Sequence, residues 1–349
     1  MDRTLRFAIA GVGNIGSLHA RAIAEIEEAS LTAVFSRSEK RAREVATAHG
    51  VDWTTDWRAL VERDDVDVVS VCTPSGAHME IAVAAARAGK HVIVEKPIEV
   101  SLERADAVIE ACRKGGVKLA CIFPARLKPG AEKLKKAVTE GRLGRLTLCD
   151  VQVKWHRSQE YYDAGGWRGT WEWDGGGALM NQGIHHVDLL QYIAGPVRSV
   201  FAQCATLAHT METEDTVAAS LSFESGALGV IEATTGAWPG LAGRLEISGD
   251  RGTVTLEDVA VVRWDLADAT EAEKTGVLAE RGPEGSGRAD PMGIAHHGHL
   301  LQIRDLVLAV QEDRTPRIDG YEGRKAVEIV RAVYHSARTG RPVDLPFDE

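Results

Sequence analysis

The chain has 349 residues, of which 44% are hydrophobic and 26% charged, and its net charge at pH 7 is −10. This length suits two domains rather than one small core. The acidic balance, without any basic block, argues against nucleic acid as a partner, and no apolar run approaches the roughly 20 residues of a membrane-spanning helix. The five scattered cysteines show neither C-x-x-C spacing nor an even count. We therefore expect a reduced, cytoplasmic protein with no nucleic-acid or membrane partner.

The first third of the chain alternates between β-rich runs and alanine-rich helical stretches. We predict strands at 5–10, 31–35, 66–72, 91–94 and 117–122, and helices at 15–28, 39–49, 78–88 and 102–113. Strands that alternate with helices of this length indicate βαβ units and a parallel sheet. Right-handed crossovers then give a doubly wound sheet. We assign this α/β domain to residues 1–123.

The remaining residues have a different texture. A helix is predicted at 131–139, followed by strands at 146–156, 200–207, 216–223, 227–234, 244–248 and 252–257, and by closing helices at 299–311 and 322–337. Tight turns at 224–226 and 249–252 are hairpin signals, which indicate an antiparallel sheet. Residues 124–349 are therefore predicted to form an α+β domain. The polar, glycine-rich stretch 267–292 is expected to be a loop.

A glycine-rich turn, Gly11-Val12-Gly13-Asn14-Ile15-Gly16, lies between the first predicted strand and helix. Gly11 permits the tight turn, Gly13 lets the backbone approach a pyrophosphate, and Gly16 allows close packing of helix and strand. Asn14 and Ile15 begin the helix, whose free N–H groups favour phosphate. This context predicts a dinucleotide-binding site.

The end of the second predicted strand bears on the choice of dinucleotide. An NAD site usually has a carboxylate about 20 residues past the glycines, where it binds the ribose 2′-hydroxyl. This chain has Ser36 and Arg37 there instead. Serine can donate a hydrogen bond and arginine can pair with a 2′-phosphate. The pattern favours NADP over NAD, although Arg37 could equally be a solvated loop charge.

Further candidate contacts lie at the ends of later strands. Thr73 and Pro74 end the third major strand, His78 begins the next helix, and Glu95 and Lys96 end the fourth. Ligands of open α/β sheets bind outside the carboxyl ends of the strands, so these residues are expected to face one crevice. We predict that they contact the coenzyme, and that Lys96 belongs to the active site.

Aromatic and polar residues are dense between residues 155 and 174. Such a mixture suits the wall of a sugar site, where ring faces meet C–H surfaces and polar groups meet hydroxyls. The candidate substrate contacts are Trp155, His156, Tyr161, Tyr162 and Trp167, together with Phe123 at the change of texture. Arg168 is predicted to contact the coenzyme.

A glycine run, Gly175-Gly176-Gly177, leads into a predicted helix that carries Asn181 and His185. The glycines would allow backbone to lie close to a ligand, and residues four apart share one helix face. Met180, Ile184, Val187 and Leu190 form an apolar stripe on the other side. Histidine exchanges protons near neutral pH, so His185 is the candidate catalytic group, whereas we interpret His186 as structural.

Three motifs, at 11–16, 95–97 and 175–188, together resemble the Gfo/Idh/MocA family of sugar and polyol dehydrogenases along essentially the whole chain. The resemblance implies a Rossmann domain, a C-terminal domain with a large, open, mostly antiparallel sheet, and homodimers or homotetramers formed through that sheet. It also matches Lys96 to the family's active-site lysine and His185 to its catalytic histidine.

The chain departs from the family at Asn181, where an aspartate is usual. A neutral amide can hold a substrate hydroxyl or orient a ring, but it cannot stabilise an imidazolium as a carboxylate does. Some members similar to sugar-nucleotide and pyranoside dehydrogenases carry a comparable Asn-Gln-Gly-Ile-His run.

The resulting hypothesis is hydride transfer between a secondary alcohol carbon of a sugar or polyol and a nicotinamide. His185 takes the hydroxyl proton, Lys96 stabilises the oxyanion and Asn181 fixes a hydroxyl. One alternative is a glycoside-modifying enzyme that oxidises transiently, eliminates and reduces again. Another is a non-catalytic dinucleotide sensor.

Three histidines, His296, His297 and His299, were weighed as a metal site. No carboxylate or cysteine completes a ligand set nearby in the sequence, so a surface or helix-start role is favoured and no metal is predicted.

Overall fold

A computed structural model of the chain describes residues 4–280 and 296–348. The described residues form two compact units. The first contains residues 4–124 and 296–324, and the second contains residues 125–280 and 325–348.

The first unit is built on a parallel sheet of six strands, which confirms the predicted parallel sheet and adds one strand to the five predicted. These are β1 (Leu5–Ala10), β2 (Ala29–Phe35), β3 (Asp52–Thr54), β4 (Val68–Val71), β5 (His91–Val94) and β6 (Leu119–Cys121). Their order in the sheet is β3-β2-β1-β4-β5-β6, and every neighbouring pair is parallel. The order reverses direction between β1 and β4, the place where such sheets bind ligands.

Helices connect these strands, namely α1 (Asn14–Ala24), α2 (Glu39–His49), α3 (Trp57–Val61), α4 (His78–Arg87) and α5 (Leu102–Gly115). The side chains of Ser38 and Ser101 cap α2 and α5 by accepting a backbone N–H three residues on. The apolar strand residues Phe7, Ile9 and Ile93 have no exposed surface, because helices cover both faces of the sheet.

The second unit contains an eight-stranded sheet, formed by β7 (Leu146–Lys154), β8 (Val197–Ala205), β9 (Thr216–Phe223), β10 (Leu228–Thr234), β11 (Arg244–Gly249), β12 (Gly252–Glu257), β13 (Ala260–Leu266) and β14 (Val343–Asp344). The order is β13-β12-β11-β7-β10-β9-β8-β14. Only β7 and β10 pair in parallel, and the other neighbours are antiparallel. The predicted mixed fold, with a mostly antiparallel second sheet, is confirmed, and both predicted hairpins form.

The remaining helices are α6 (Pro129–Thr139), α7 (Gln159–Asp163), α8 (Ile184–Ala194), α9 (Glu271–Ala279), α10 (His297–Gln311) and α11 (Gly320–Thr339). Helix α10 lies in the first unit. It had been predicted to belong to the second domain, together with all other residues from 124 to 349.

Helix α9 lies within the stretch 267–292, so the prediction of a loop was wrong there. Thr270 caps this helix, yet no residue of it is buried. A helix without a buried face leaves no apolar periodicity in the sequence. Residues 281–292 of the predicted loop lie outside the described residues.

All five cysteines are free thiols. No disulfide framework was predicted for them. Within residues 4–280 and 296–348, no helix is both long enough and apolar enough to cross a bilayer.

Candidate active site

The glycine-rich turn joins β1 to α1. Gly11 has a φ of 103°, and a Cβ there would lie 2.6 Å from the carbonyl oxygen of Cys72. A Cβ on Gly16 would lie 1.9 Å from the carbonyl oxygen of Gly11. Neither position can hold a side chain without moving the backbone. The protein's own packing therefore requires these two glycines.

Gly13 has a different surrounding. A Cβ on Gly13 would have no atom within 4 Å, so the space in front of it is open. Gly13 is also the N-cap of α1, and no side chain caps the first turn that begins with Asn14 and Ile15. Open space beside a helix N-terminus whose N–H groups have no side-chain cap fits a pyrophosphate.

The Gly13→Ala variant separates ligand binding from folding. We expect its affinity for nicotinamide dinucleotides to fall by about tenfold or more, because the methyl group would stand where the phosphates approach the backbone. The melting temperature should stay close to that of the wild type, since the methyl meets no protein atom. Titration of tryptophan fluorescence and thermal unfolding measure the two effects. Gly16→Ala is the matched control, which should lose stability, and undiminished coenzyme affinity in Gly13→Ala would contradict the assignment.

Three further candidates lie just beyond the carboxyl ends of β2 and β4. The Oγ of Ser36 accepts the N–H of Ser38 at 3.2 Å and keeps its own proton to donate. Arg37 is exposed. The Oγ1 of Thr73 is buried and makes no hydrogen bond to any described residue. A buried hydroxyl without a partner is costly, so a ligand oxygen at this position would stabilise the site.

His78 joins two of the predicted loops. It is buried, with Nδ1 3.0 Å from the carbonyl oxygen of Pro97 and Nε2 2.9 Å from that of Thr73. Pro74 precedes the short turn that leads into this histidine. Both ring nitrogens of His78 are thus engaged by backbone, and the ring links the loop after β4 to the segment after Lys96.

Glu95 directly follows β5 and lies in a buried cluster with two histidines. Its Oε1 lies 3.0 Å from Nε2 of His19 and 3.4 Å from Nε2 of His299, and the Nδ1 of His19 lies 2.8 Å from Oγ of Ser70. Burial alone would raise the pKa of Glu95, but the hydrogen bonds from the two histidines hold it well below its usual range. Burial lowers the pKa of His19.

The ionised Glu95 has a third partner, because its Oε2 accepts the backbone N–H of Lys96 at 3.1 Å. The cluster therefore fixes the backbone from which the Lys96 side chain projects. Two imidazoles and one carboxylate with ligand atoms within 4.8 Å of one another are also a set that zinc accepts. The hydrogen bonds among these groups and Ser70 account for the arrangement, and we assign the cluster to positioning Lys96.

The three histidines weighed as a metal site separate in the structure. His296 is the N-cap of α10 and its Nε2 lies 2.9 Å from Oε1 of Glu25, while His297 is exposed. Those two fit the surface or helix-start role. His299 does not, because it is buried against Glu95. No local pattern indicates this contact, since 204 positions separate the two partners along the chain.

In the aromatic segment, two guanidinium groups stack on Tyr161. Arg168 lies 4.6 Å from the Tyr161 ring centre and 4.7 Å from that of Trp167. Arg157 lies 5.4 Å from Tyr161 and 5.3 Å from Trp155. Alternating cations and rings of this kind present flat faces together with hydrogen-bond donors.

The other predicted substrate contacts differ in exposure. His156 is half-buried and packs edge-to-face on Trp238, with ring centres 4.9 Å apart. Tyr162 is buried and its hydroxyl lies 2.8 Å from Oγ1 of Thr235. Phe123 is fully buried, and its N–H donates to the side chain of Gln302. Tyr162 and Phe123 therefore lie in the interior of their units.

One regular helix was predicted to carry both Asn181 and His185, but the two residues lie in different elements. Asn181 lies in a π-helical turn, Ala178–Gly183, and His185 lies in the first turn of α8. The two residues therefore belong to consecutive elements, a π-helical turn and an α-helix. Single π-helical turns are frequent at functional sites. The apolar residues Met180, Ile184, Val187 and Leu190 are all buried, as predicted.

A buried carboxyl group, Glu214, holds the start of this π-helical turn. Its Oε2 accepts the N–H of Gly177 and its Oε1 the N–H of Leu179, each at 2.9 Å. The hydroxyl of Tyr334 donates to Glu214 Oε1 at 2.9 Å and accepts the N–H of Met180 at 3.2 Å. Burial raises the pKa of Glu214 to about 7, against the lowering effect of these donors.

This arrangement explains two glycines of the run. A Cβ on Gly177 would lie 1.8 Å from the backbone oxygen of Glu214, and one on Gly176 would lie 2.2 Å from the hydroxyl of Tyr334. The run was expected to make room for a ligand. At Gly176 and Gly177 the absence of a side chain makes room for Tyr334 and Glu214. These two residues bind the start of the π-helical turn, and we call them the clamp.

His186, interpreted as structural, is buried. Its ring packs edge-to-face on Trp155 at 6.1 Å, and burial lowers its pKa to about 4. Two residues further along the chain, the buried Asp188 pairs with Arg126 through two hydrogen bonds of 2.8 and 2.6 Å. A buried bidentate pair of this kind fixes the α8 helix in place.

Comparison with known proteins adds the family. Residues 5–123 match the oxidoreductase family with an NAD-binding Rossmann fold named GFO/IDH/MocA, and residues 131–255 match the C-terminal domain of the same family. The chain belongs to the GFO/IDH/MocA family. Its first unit is accordingly an NAD-binding Rossmann domain of an oxidoreductase.

Similar proteins match most or all of the chain. The WlbA dehydrogenase from Bordetella pertussis, solved in complex with NADH and UDP-GlcNAcA, shares 34% identity over 100% of this chain and 99% of its own, with a TM-score of 0.91. Myo-inositol 2-dehydrogenase of Thermotoga maritima is 29% identical over 98% of both chains. Levoglucosan dehydrogenase of Pseudarthrobacter phenanthrenivorans is 26% identical over 84% of this chain and 83% of its own.

Sequence reasoning missed the residues that support the site. Glu214 and Tyr334 lie far along the chain from the glycine run, and His19 appears in the sequence as one residue of an alanine-rich helix. Asp174, which contacts Asn181, could have been found, because it directly precedes the glycine run.

Proposed function

We propose that this protein is a nicotinamide-dependent dehydrogenase that acts on a secondary alcohol of a sugar, sugar derivative or polyol. The observation that carries the proposal is the match of both halves to one oxidoreductase family, joined to a glycine turn with open space at a helix N-terminus. The bound coenzyme would supply the hydride chemistry, and the protein would bind, orient and polarise.

Three side chains are assigned roles. His185 accepts the proton of the substrate hydroxyl as the carbon is oxidised, a step that imidazole performs near neutral pH. Lys96 stabilises the negative charge that develops on the substrate oxygen. Asn181 holds a neighbouring hydroxyl. The backbone bond from Lys96 to Glu95 supports the second role, because it fixes the base of the lysine side chain.

The substrate is proposed to be a ring-shaped sugar or polyol. The stacked rings and guanidinium groups around Tyr161 suit a ligand with C–H faces and several hydroxyls. The relatives support this class, since they include inositol and levoglucosan dehydrogenases and a WlbA dehydrogenase in complex with UDP-GlcNAcA. Acidic and nucleotide-linked sugars therefore belong among the compounds to test.

The coenzyme is proposed to be NADP at least as readily as NAD. Ser36 and Arg37 stand where a carboxylate would repel a 2′-phosphate, and both can donate hydrogen bonds to one. Solved relatives contain NADH, so NAD is the reference against which the preference is measured. The chemistry described uses no metal ion.

The test is a panel of sugars, inositols, uronic acids and nucleotide-linked uronic acids, each offered with NAD and with NADP. The proposal expects reduced coenzyme to accumulate with at least one compound. Release of a sugar without accumulated reduced coenzyme would favour transient oxidation and elimination instead. No turnover of any compound, with coenzyme bound, would favour a sensor.

We also propose that copies of the chain associate through the outer face of the second sheet as dimers or tetramers. Leu148 and Leu228 are directly paired across β7 and β10, and both are exposed, as is Phe201 on β8. Exposed apolar residues grouped on one sheet face are typical of an interface. Light scattering during gel filtration measures the mass.

The free cysteines are consistent with the cytoplasmic location proposed for the protein.

A further inference from the structure

A second carboxyl group of the second unit is directed at Asn181. Asp174 lies just before the glycine run and is buried, with only 1% of its surface exposed. Its Oδ1 accepts a hydrogen bond from Nδ2 of Asn181 at 2.5 Å, and its Oδ2 accepts the N–H of Gly169 at 3.0 Å. A hydrogen bond from an amide to a carboxylate is charge-assisted and therefore strong.

This bond determines the orientation of the Asn181 side chain. A side-chain amide offers a donor end and an acceptor end of nearly the same shape. Asp174 accepts only from the donor end, and Oδ1 of Asn181 in turn accepts from Nε2 of Gln182 at 3.2 Å. Both neighbours therefore favour the same orientation, and a reversed amide would place oxygen against carboxylate and nitrogen against nitrogen.

We propose that Asp174 is a positioning residue that locks the Asn181 amide, so that its carbonyl oxygen accepts the substrate hydroxyl. This inference rests on the proposed function and adds to it the direction of that hydrogen bond. The carboxylate also polarises the amide, which strengthens the carbonyl oxygen as an acceptor. The substrate is accordingly a compound with a hydroxyl that can donate next to the carbon that is oxidised.

The pair predicts an unusual response to mutation. Asn181→Asp introduces a second carboxyl group 2.5 Å from Asp174, where two like charges repel and must share a proton. Asp174→Asn gives two facing amides, so either the Asn181 amide or the Gly169 N–H loses its acceptor. The double variant Asp174→Asn with Asn181→Asp exchanges the two groups and can rebuild both bonds.

The experiment compares kcat and KM of the three variants with the wild type, using the compound found by the panel. Each single variant is expected to lose about tenfold to a hundredfold in kcat/KM, because a misplaced contact costs that much in a catalytic site. The double variant should recover to within a few fold of the wild type. Asp163→Asn, which changes an exposed aspartate of the same segment, is the matched control and should leave kcat/KM unchanged.

Two results would overturn the pairing: wild-type kcat/KM in both single variants, or a double variant no better than the worse single one. A loss of stability in the single variants without any change in kcat/KM would show a purely structural contact, and would also overturn it.

If the wild type oxidises nothing, the proposed function fails, and the locked amide is tested separately by thermal unfolding. The melting temperature of Asn181→Asp should then rise relative to the wild type as pH falls, because the paired carboxyl groups take up a proton. The ionisable groups that interact with Asp174 include Tyr162, whose pKa is raised by burial, so that it does not change charge below neutral pH. Equal melting temperatures at every pH would contradict the pairing.

Discussion

His185→Ala and Lys96→Ala are each expected to lower kcat by about a hundredfold to ten-thousandfold, while the coenzyme still binds. The size follows from the loss of a positioned proton acceptor in the first variant and of the positive charge beside the developing oxyanion in the second. Coenzyme affinity should change little, because the glycine turn and the α1 helix N-terminus are untouched. Steady-state kinetics and a fluorescence titration with coenzyme measure the two properties.

Matched controls are available on exposed helices. Lys114→Ala removes an exposed lysine of α5, and His297→Ala removes an exposed histidine of α10. Both controls should keep wild-type kcat. Full turnover in His185→Ala or in Lys96→Ala would refute the role given to that residue.

The second large effect concerns the buried carboxyl group that clamps the π-helical turn. The pKa of Glu214 is raised from 4.5 to about 7 in the folded protein, chiefly by burial. The folded state therefore keeps this proton over a pH range in which the unfolded chain has released it. The contribution to stability is full below about pH 4.5 and is lost as pH rises to about 7, amounting to about 3 kcal/mol.

Comparison with Glu214→Gln isolates this contribution, because the amide does not titrate. The free energy of unfolding of the wild type, relative to that of the variant, should decline between about pH 4.5 and 7 and then level off. Urea unfolding at a series of pH values measures it. Glu212→Gln, which changes an exposed neighbour, should show the same pH dependence as the wild type. Parallel curves for wild type and Glu214→Gln would show that Glu214 titrates at its ordinary pKa.

The same clamp links stability to the candidate active site. Tyr334→Phe removes the hydroxyl that donates to Glu214 and accepts the N–H of Met180. Because both groups lose that partner, the free energy of unfolding should fall by about 1–3 kcal/mol. The turn that carries Asn181 begins at these bonds. We therefore expect kcat to fall in Tyr334→Phe even under conditions in which the variant is fully folded.

Local sequence patterns predicted most of the first unit. Strands β1 and β5 and helix α2 have the predicted bounds, because apolar runs, helix caps and glycines are local signals. The short strand β3 and helix α3 were missed, since elements of three to five residues carry little pattern. In the second unit, β13 was missed, although it follows β12 after a tight turn.

In the candidate active site, too, local sequence signals indicated some residues and not others. Gly13, Lys96 and His185 could be proposed from the sequence because each follows or begins a recognisable element, and their roles stay predictions. The π-helical turn could not be found, because the spacing of Met180, Ile184 and Val187 also fits an ordinary helix. Glu214 and His299 gave no signal, because their roles come from partners that only the folded chain brings near. Such contacts are tertiary, and no local pattern encodes them.

Transfer of deuterium tests the proposed reaction most directly. A substrate from the panel is prepared with deuterium on each secondary alcohol carbon in turn and incubated with enzyme and oxidised coenzyme. The account predicts that one labelled position, and no other, delivers its deuterium to the nicotinamide ring, as read by mass spectrometry of the reduced coenzyme. Reduced coenzyme that is free of deuterium for every labelled position would contradict hydride transfer from a secondary alcohol.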